Sequence, residues 1–223
     1  FSIGFQENKY DEAQYAKSVA SHLGTEHTEL YVTPEDAMKL IPELPSAYCE
    51  PFSDVSQIPT LIVSALAKEH VTVSLSGDGG DELFCGYKRY SHSEALWKKL
   101  NKLPLFLRNV MASGITALSV DAWEQIARML PHNMRVNYMG DRLHKASKFL
   151  AFKNFNHFYR DFLMSNYRDP ELLMLNGKEP VTSLVGNEPD LSCLDHMQTM
   201  MALDQIAYLP DDILVKVDRA AMW

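Results

Sequence analysis

Strand and helix patterns alternate along the first part of the chain. Short apolar runs at residues 1–5 and 25–32 predict two β-strands. The segment between them places its apolar residues at helical spacing and stops at Gly24, a typical helix end. Further helices are predicted over residues 34–41, after an N-terminal capping signal, and over residues 58–69. This order is typical of an α/β domain.

A third strand is predicted over residues 71–76, where Val71, Val73 and Leu75 alternate with other residues. Strands that alternate with helices imply parallel strands joined by right-handed crossovers, and therefore a layered parallel sheet. In such sheets ligands bind outside the carboxyl ends of the strands. The strand runs directly into the loop SGDGGDE, which we therefore place on the ligand side.

The remainder of the chain has helical patterns and no convincing strand. We therefore divide the chain into an α/β half, residues 1–90, and an all-helical part, residues 91–223. Residues 175–192 are predicted to be a long loop, and the methionines near residue 200 to fill the core. The predicted helices span residues 95–102, 105–118, 122–130, 142–152, 155–164 and 194–208.

Composition excludes several classes of protein. The 223 residues are 46% hydrophobic and carry a formal net charge of −8, which argues for a folded protein and against nucleic-acid binding. No apolar stretch is long enough to cross a membrane, and we expect no membrane partner. The three cysteines, Cys49, Cys85 and Cys193, form no metal pattern and indicate a reduced, cytoplasmic setting, in which each is expected to be buried.

The loop after the third predicted strand combines glycines with acids. Residues 76–80 can form a nest of backbone N–H groups for a phosphate or an adenosine group. Because carboxylates repel phosphate, Asp78, Asp81 and Glu82 need a cation such as Mg²⁺, or an amine, to bind. This combination suggests nucleotide-dependent acyl activation. An ordinary Gly-Gly turn, with Asp81 as a helix N-cap and Glu82 in the first helical turn, is an equally good interpretation of these residues.

These residues also carry a resemblance to a known family. SLSGDGGDELFCGYKRY resembles the signature of the asparagine synthase family, which in related chains reads close to SGDGGDELFGGY. The similarity extends to FSIGF, SHLGTEHTE, CEPFSDVSQIPT and LPDDILVKVDRAAM, and it is patchy between residues 91 and 192. The resemblance implies a layered parallel sheet of the adenine-nucleotide α-hydrolase (PP-loop) type, followed by an all-helical part.

The resemblance also implies an activity. Members of this family are glutamine-dependent amidotransferases, carbon-nitrogen ligases in which an N-terminal glutaminase domain of the same chain releases ammonia. The synthetase domain uses ATP, with Mg²⁺, to adenylate the side-chain carboxylate of aspartate, and ammonia then displaces AMP. A cytoplasmic enzyme, with a homodimer as one assembly, is implied.

Five residues acquire roles from the resemblance. The nucleotide is expected to lie against Ile3 and the backbone of Ser76 and Gly77, and Asp78 and Asp81 match family positions that handle pyrophosphate, metal or substrate. We therefore expect Asp78 and Asp81 to be catalytic and Asp81 to bind the metal. The family's SGGxDS loop and a lysine beyond DRAAM are absent from this sequence. The chain is therefore expected to be a fragment, truncated at both ends, with little synthetase activity alone.

Two alternatives stay open. A related amidotransferase or a β-lactam synthetase-like enzyme would use the same chemistry with another acceptor, whereas a non-catalytic interaction module would need neither Asp78 nor Asp81. Substrate-binding residues are expected partly in CEPFSDVSQ, where Glu50 and Asp54 either read a substrate amine or cap the following helix; for Asp54 we favour capping. For Lys216 and Arg219 a solvated helix face is favoured over a position in the cleft.

Overall fold

The structure is a computed structural model, and it describes residues 1–5, 11–129, 131, 137–164, 175–178 and 180–223. Within these ranges the chain is mostly helical and has one small parallel sheet, which confirms the predicted α/β class. The strands are β1 (Ser2–Phe5) and β2 (Glu29–Val32). The described helices are α1 (Ala13–Leu23), α2 (Pro34–Leu40), α3 (Leu44–Tyr48), α4 (Gln57–Lys68), α5 (Gly80–Phe84), α6 (Lys88–Leu100), α7 (Leu105–Thr116), α8 (Val120–Met129), α9 (Met139–Leu150), α10 (Phe155–Phe158), α11 (His196–Leu203) and α12 (Leu214–Met222).

The chain forms two compact units. Unit 1 contains residues 1–79 and 209–223, and unit 2 contains residues 80–208. The C-terminal helix α12 therefore belongs to the same unit as the sheet. The predicted division into an α/β half, residues 1–90, and an all-helical part, residues 91–223, stays a prediction.

The sheet of unit 1 has the predicted parallel arrangement. Strands β1 and β2 pair in parallel with Ile3 opposite Leu30, and α1 connects them. The helix ends at Gly24, whose φ of 67° lies in the left-handed region that glycine adopts without steric cost. The strands predicted over residues 1–5 and 25–32 are thus confirmed, although β2 begins only at Glu29.

Helices α2, α3, α4 and α12 complete unit 1. Thr33 caps α2 as predicted, because its hydroxyl accepts from the backbone N–H of Asp36 while the Asp36 carboxylate accepts from the backbone N–H of Thr33. A short 3₁₀ turn, Ile41–Glu43, joins α2 to α3. The small buried core of this unit consists of Ala47, Tyr48, Leu61 and Ala220.

The third predicted strand is wrong. Residues 71–76 form no strand, and β1 and β2 pair only with each other among the described residues. Val73 is 80% exposed and Leu75 is 99% exposed. Alternating apolar residues form a strand only where a neighbouring strand takes up their backbone groups and another layer covers their side chains. The segment has neither within the described part of the chain, so a layered sheet is not observed.

Unit 2 is helical, and the helical prediction for residues 91–223 covers most of it. Helix α10 continues into a π-helical segment, Tyr159–Met164, and α11 continues into another, Asp204–Ile213, whose last residues belong to unit 1. The predicted loop at 175–192 contains only an isolated bridge between Thr182 and Gly186 in its described residues. The core is largely aromatic and includes the predicted Met200; its buried members are Tyr90, Trp97, Leu100, Phe152, Phe155, Phe158, Tyr159, Met200 and Leu203.

The burial of the cysteines differs from the prediction. Cys49 and Cys193 are exposed and Cys85 is half-buried, so the prediction of buried cysteines is wrong. No described helix has both the length and the apolar character needed to cross a membrane.

Candidate functional site

The acidic loop begins at the end of unit 1 with an exposed backbone. Ser76, Gly77 and Asp78 are exposed, and Gly79 adopts a φ of 87°, a left-handed conformation that favours glycine. No hydrogen bond of the described residues uses the backbone N–H groups of Ser76, Gly77 or Asp78. These donors are therefore free to bind an anion.

Asp81 lies inside α5 as its second residue. The helix begins at Gly80, so the alternative in which Asp81 is the N-cap is wrong, whereas Glu82 does lie in the first turn. The Asp81 carboxylate packs against the backbone of Gly86, where an added Cβ would come within 1.8 Å of Asp81 Oδ1. The backbone N–H of Gly86 also donates to the Asp81 carbonyl at 3.0 Å. Gly86 therefore provides the space that the Asp81 carboxylate occupies.

The residue that follows α5, Cys85, differs from the family signature. Cys85 has a φ of 61°, in the left-handed region, and it stands where the signature has glycine. A side chain in this conformation costs about 1 kcal/mol or more relative to glycine. The glycine of the signature thus fits the backbone, and Cys85 adopts the same conformation at some cost.

Glu82 does not face solvent. It is 1% exposed, and its Oε1 accepts a hydrogen bond of 2.6 Å from the Tyr87 hydroxyl. Gln205 Nε2 donates to the backbone carbonyl of Glu82 at 3.0 Å. Burial raises the pKa of Tyr87, and the hydrogen bond to Glu82 raises it further, so the phenol remains a donor. Glu82 thus holds α5 in place rather than offering a ligand.

The five predicted site residues are distributed over both units. Ile3 lies in β1, and Ser76, Gly77 and Asp78 also belong to unit 1, whereas Asp81 belongs to unit 2. Among the described residues no hydrogen bond or ion pair joins any two of the five. Their assembly into one site therefore stays a prediction.

A second polar cluster lies inside unit 1. Lys216 Nζ donates to Asp54 Oδ2 at 2.7 Å and to Ser56 Oγ at 2.6 Å, and the Lys216 and Asp54 side chains are 6% and 11% exposed. Burial raises the pKa of the Asp54 carboxyl, but hydrogen bonds from Lys216 and Ser56 outweigh burial and hold the pKa below its ordinary value. The Asp54 carboxyl is therefore ionised at neutral pH.

This cluster corrects two expectations. Ser56, not Asp54, occupies the N-cap position of α4, and Asp54 instead accepts from the Ser56 backbone and from Lys216. Lys216 is buried, so the solvated-face interpretation is wrong for it. Because Lys216 occupies the Asp54 carboxylate, Asp54 is not free to read a substrate amine.

Arg219 extends the cluster along α12. Its guanidinium forms an ion pair with Glu50 at 3.0 Å and donates to the backbone carbonyl of Tyr48. Burial and the nearby charge of Asp54 raise the pKa of Tyr48 to about 12. Arg219 therefore also binds inside unit 1 rather than facing only solvent.

The described side chains offer few ligands to a metal ion. Within the described ranges no group of three or more His, Cys, Asp or Glu side chains could hold a metal ion. The carboxylates of Asp78 and Asp81 are exposed and accept no hydrogen bond or ion pair from other described residues. A single free carboxylate fits a Mg²⁺ ion that takes its other ligands from substrate phosphates and water.

Sequence reasoning missed several contact residues at the acidic loop and at the Lys216–Asp54 cluster. Tyr87, Gln205 and Arg89 were not singled out, and Glu82 was interpreted as a ligand. Lys216 lies 162 residues from Asp54, and Gln205 lies 123 residues from Glu82. No local spacing signals contacts at that separation, and only the polarity of LPDDILVKVDR offered a hint for Lys216.

Comparison with known proteins gives a consistent family match. The family model described as asparagine synthase matches residues 1–223. The chain is 34% identical over 223 residues to a putative asparagine synthetase [glutamine-hydrolyzing] 2 of Methanocaldococcus jannaschii, and 28% identical over 225 residues to asparagine synthetase [glutamine-hydrolyzing] 1 of Bacillus subtilis. A putative asparagine synthetase [glutamine-hydrolyzing] of Mycobacterium tuberculosis is 29% identical over 228 residues.

These matches cover all of this chain but only part of each relative. The chain spans 39% of the Methanocaldococcus protein, 32% of the Bacillus protein and 31% of the Mycobacterium protein. No solved structure matches the chain significantly.

Proposed function

The chain belongs to the asparagine synthase family, and from this premise we propose that it is part of the ATP-dependent synthetase domain of a glutamine-hydrolysing asparagine synthetase. The names of three relatives that match its whole length support this proposal. One observation links the proposed function to particular residues: the free carboxylates of Asp78 and Asp81 flank a glycine turn whose backbone donors are unused among the described residues.

In the proposed reaction the side-chain carboxylate of aspartate attacks the α-phosphate of ATP and releases pyrophosphate, and ammonia from glutamine then displaces AMP from the acyl-adenylate to give the amide. The N–H groups of Ser76 and Gly77 bind the nucleotide, which also rests against Ile3. Asp81 would hold the Mg²⁺ that neutralises the pyrophosphate charge, and Asp78 would position the adenylate or the incoming ammonia. These assignments are our proposal for the protein that contains this chain.

The proposal extends to the organisation of that protein. We assign it an N-terminal glutaminase domain, a layered parallel sheet of the PP-loop type that includes residues 1–90, and a helical part over residues 91–223. We place it in the cytoplasm, with a homodimer as one assembly. The 223 residues contain no SGGxDS motif, since their one Gly-Gly pair is Gly79-Gly80. For this reason we expect the 223-residue chain alone to have little synthetase activity and to bind ATP weakly.

The acceptor is the finer part of the proposal. Asp54 is occupied by Lys216, whereas Glu50 pairs with Arg219 but its side chain stays 57% exposed, so Glu50 is the one of these two acids that is accessible to a substrate amine. A related amidotransferase or a β-lactam synthetase-like enzyme would share the adenylating residues. A non-catalytic interaction module would leave the exposed acids at the glycine turn without a purpose.

A substrate panel tests the proposal. The full-length protein that contains this chain is incubated with ATP, Mg²⁺ and glutamine or ammonium, with aspartate or with other carboxylic acids. We expect pyrophosphate and AMP to form in step with asparagine when aspartate is supplied. Turnover with another acid but not with aspartate would favour the alternative acceptor, and no pyrophosphate with any acid would contradict the enzyme.

A further inference from the structure

The short helix α5, which carries Asp81, depends on contacts from elsewhere in unit 2. It has five residues. An isolated helix of this length is not stable in water, because the cost of nucleation exceeds what so few hydrogen bonds return. The position of Asp81 is therefore set by whatever fixes α5.

Glu82 is the side chain through which α5 is fixed. Its carboxylate is buried and receives the Tyr87 hydroxyl at 2.6 Å, and its backbone carbonyl receives Gln205 at 3.0 Å. A buried carboxylate without a donor is costly, so the Tyr87 hydroxyl strongly favours this one position of Glu82. Because Glu82 follows Asp81 directly, the same contact orients the backbone of Asp81.

Tyr87 is held in turn by Arg89. The centre of the Arg89 guanidinium lies 4.3 Å from the centroid of the Tyr87 ring and 4.6 Å from that of Tyr208. Such cation–π contacts are stronger where water is partly excluded, and the Arg89 side chain is only 27% exposed. The guanidinium plane thus fixes the Tyr87 ring on one side.

Asp204 anchors Arg89 in the core. It is fully buried, and its Oδ2 accepts from Arg89 at 2.5 Å, from Tyr90 at 2.7 Å and from Tyr159 at 2.8 Å. Burial lowers the pKa of Arg89, but the charge and the hydrogen bond of Asp204, together with the neighbouring Tyr159 and Tyr208, outweigh burial and raise the pKa above its ordinary value. The guanidinium is therefore a permanent, rigidly held charge.

We propose that Tyr87 is a positioning residue for Asp81: its hydroxyl holds Glu82 and α5, while Asp204, through Arg89, holds its ring. The inference rests on the proposed function, in which Asp81 binds the Mg²⁺-pyrophosphate. Tyr87, Arg89 and Asp204 act through α5, and the proposal assigns none of them a contact with substrate.

Tyr87→Phe tests the first link, because it removes one hydroxyl and keeps the ring that Arg89 contacts. In the full-length protein that contains this chain, we expect the amides of residues 82–86 to exchange with solvent about tenfold faster. Tyr159→Phe is the matched control: it also removes a hydroxyl hydrogen-bonded to a buried carboxylate, but Asp204 retains Arg89 and Tyr90. In this control we expect exchange in α5 within about twofold of the wild type.

Steady-state kinetics test the positioning role. For Tyr87→Phe we expect kcat for asparagine synthesis to fall about tenfold while the KM for aspartate stays within about twofold, because a displaced Asp81 weakens the transition state more than substrate binding. Glutamine hydrolysis should be unchanged. Arg89→Lys, which keeps the charge but loses the planar group, should speed exchange in α5 about threefold.

The outcomes separate this inference from the proposed function. Unchanged exchange in Tyr87→Phe, or equal acceleration in Tyr159→Phe, would overturn it. Faster exchange with normal synthesis, in an enzyme that Asp81→Asn inactivates, would also overturn it and leave the proposed function intact. Normal synthesis in Asp81→Asn would instead refute the proposed role of Asp81, and with it the positioning of a catalytic group, while the exchange data would still report whether Tyr87 holds α5.

Discussion

Lys216 and Asp54 illustrate, at the scale of single residues, how unit 1 accommodates charges in its interior. The two side chains are only 6% and 11% exposed in the ion pair, and Ser56 supplies a further hydrogen-bond partner to both. Removing one partner of such a pair leaves the other charge buried without compensation, which is the costly step. An exposed pair loses little by comparison, since water replaces the partner.

Lys216→Met should therefore destabilise the protein by about 3 kcal/mol. The control is Lys98→Met, which breaks the exposed i,i+4 pair with Glu94 and should cost under about 0.5 kcal/mol. Urea unfolding at neutral pH measures both. Equal, small losses in the two variants would show that the Lys216 pair contributes no more than a surface pair.

The same pair predicts a pH dependence. The folded pKa of Asp54 lies below its ordinary value of 3.8, so its stabilisation is present above that value and is lost as the pH falls through the lowered pKa. We expect the difference in unfolding free energy between wild type and Asp54→Asn to shrink as the pH is lowered from about 5 to about 2. A difference that is constant over this range would contradict the assigned direction.

Gly86 has a comparable residue-scale role at the acidic loop. A Cβ at this position would come within 1.8 Å of Asp81 Oδ1, so Gly86→Ala must turn the Asp81 carboxylate away. We expect asparagine synthesis by the full-length protein to fall by about tenfold or more. Gly114→Ala, in the last turn of α7 with open space around it, should keep synthesis and stabilise the fold by about 0.5–1 kcal/mol. Normal synthesis in Gly86→Ala would argue against a role for the Asp81 carboxylate.

At the scale of elements, the segment 71–76 is the place where the sequence pattern and the structure differ. Its alternating apolar residues predict a strand, yet Leu75 is almost fully exposed and the backbone pairs with no described strand. In contrast, β1, α1 and β2 follow the sequence pattern, because a strand, a helix that ends at glycine and a second strand are specified within about 30 residues. Residues 71–76 can form a strand only beside a neighbouring strand, and the local sequence pattern does not show whether one is present.

Two Leu→Ala substitutions compare the exposed segment 71–76 with the core of unit 1. Leu75→Ala should change the unfolding free energy by under about 0.5 kcal/mol, because the side chain makes few contacts. Leu61→Ala, at a side chain 1% exposed in the core of unit 1, should cost about 2–5 kcal/mol. A loss of about 2 kcal/mol or more for Leu75→Ala in the 223-residue chain would show that the segment is buried after all.

At the scale of the whole molecule, the sequence predicts the helical unit and the parallel pair of strands but not the contacts that fix the candidate site. The glycine turn and its acids were identified from local chemistry. The hydrogen bonds that hold α5 come from Tyr87 and from Gln205, which lies 123 residues from Glu82. Asp204, which holds Arg89 over the Tyr87 ring, lies 115 residues from Arg89. Such partners depend on how helices pack, and one sequence carries no direct signal of that packing.

The central claim is that the acids at the glycine turn carry out synthesis. It is tested by Asp78→Asn and Asp81→Asn in the full-length protein, with asparagine formation and glutamine hydrolysis measured on the same samples and folding checked by thermal melting. Both substitutions remove a charge and keep the shape of an exposed side chain, so stability should change by under about 1 kcal/mol. We expect asparagine formation to fall by about 10²–10³ in each variant, with glutamine hydrolysis largely intact. Asparagine formation within a few-fold of wild type in both folded variants would contradict the account.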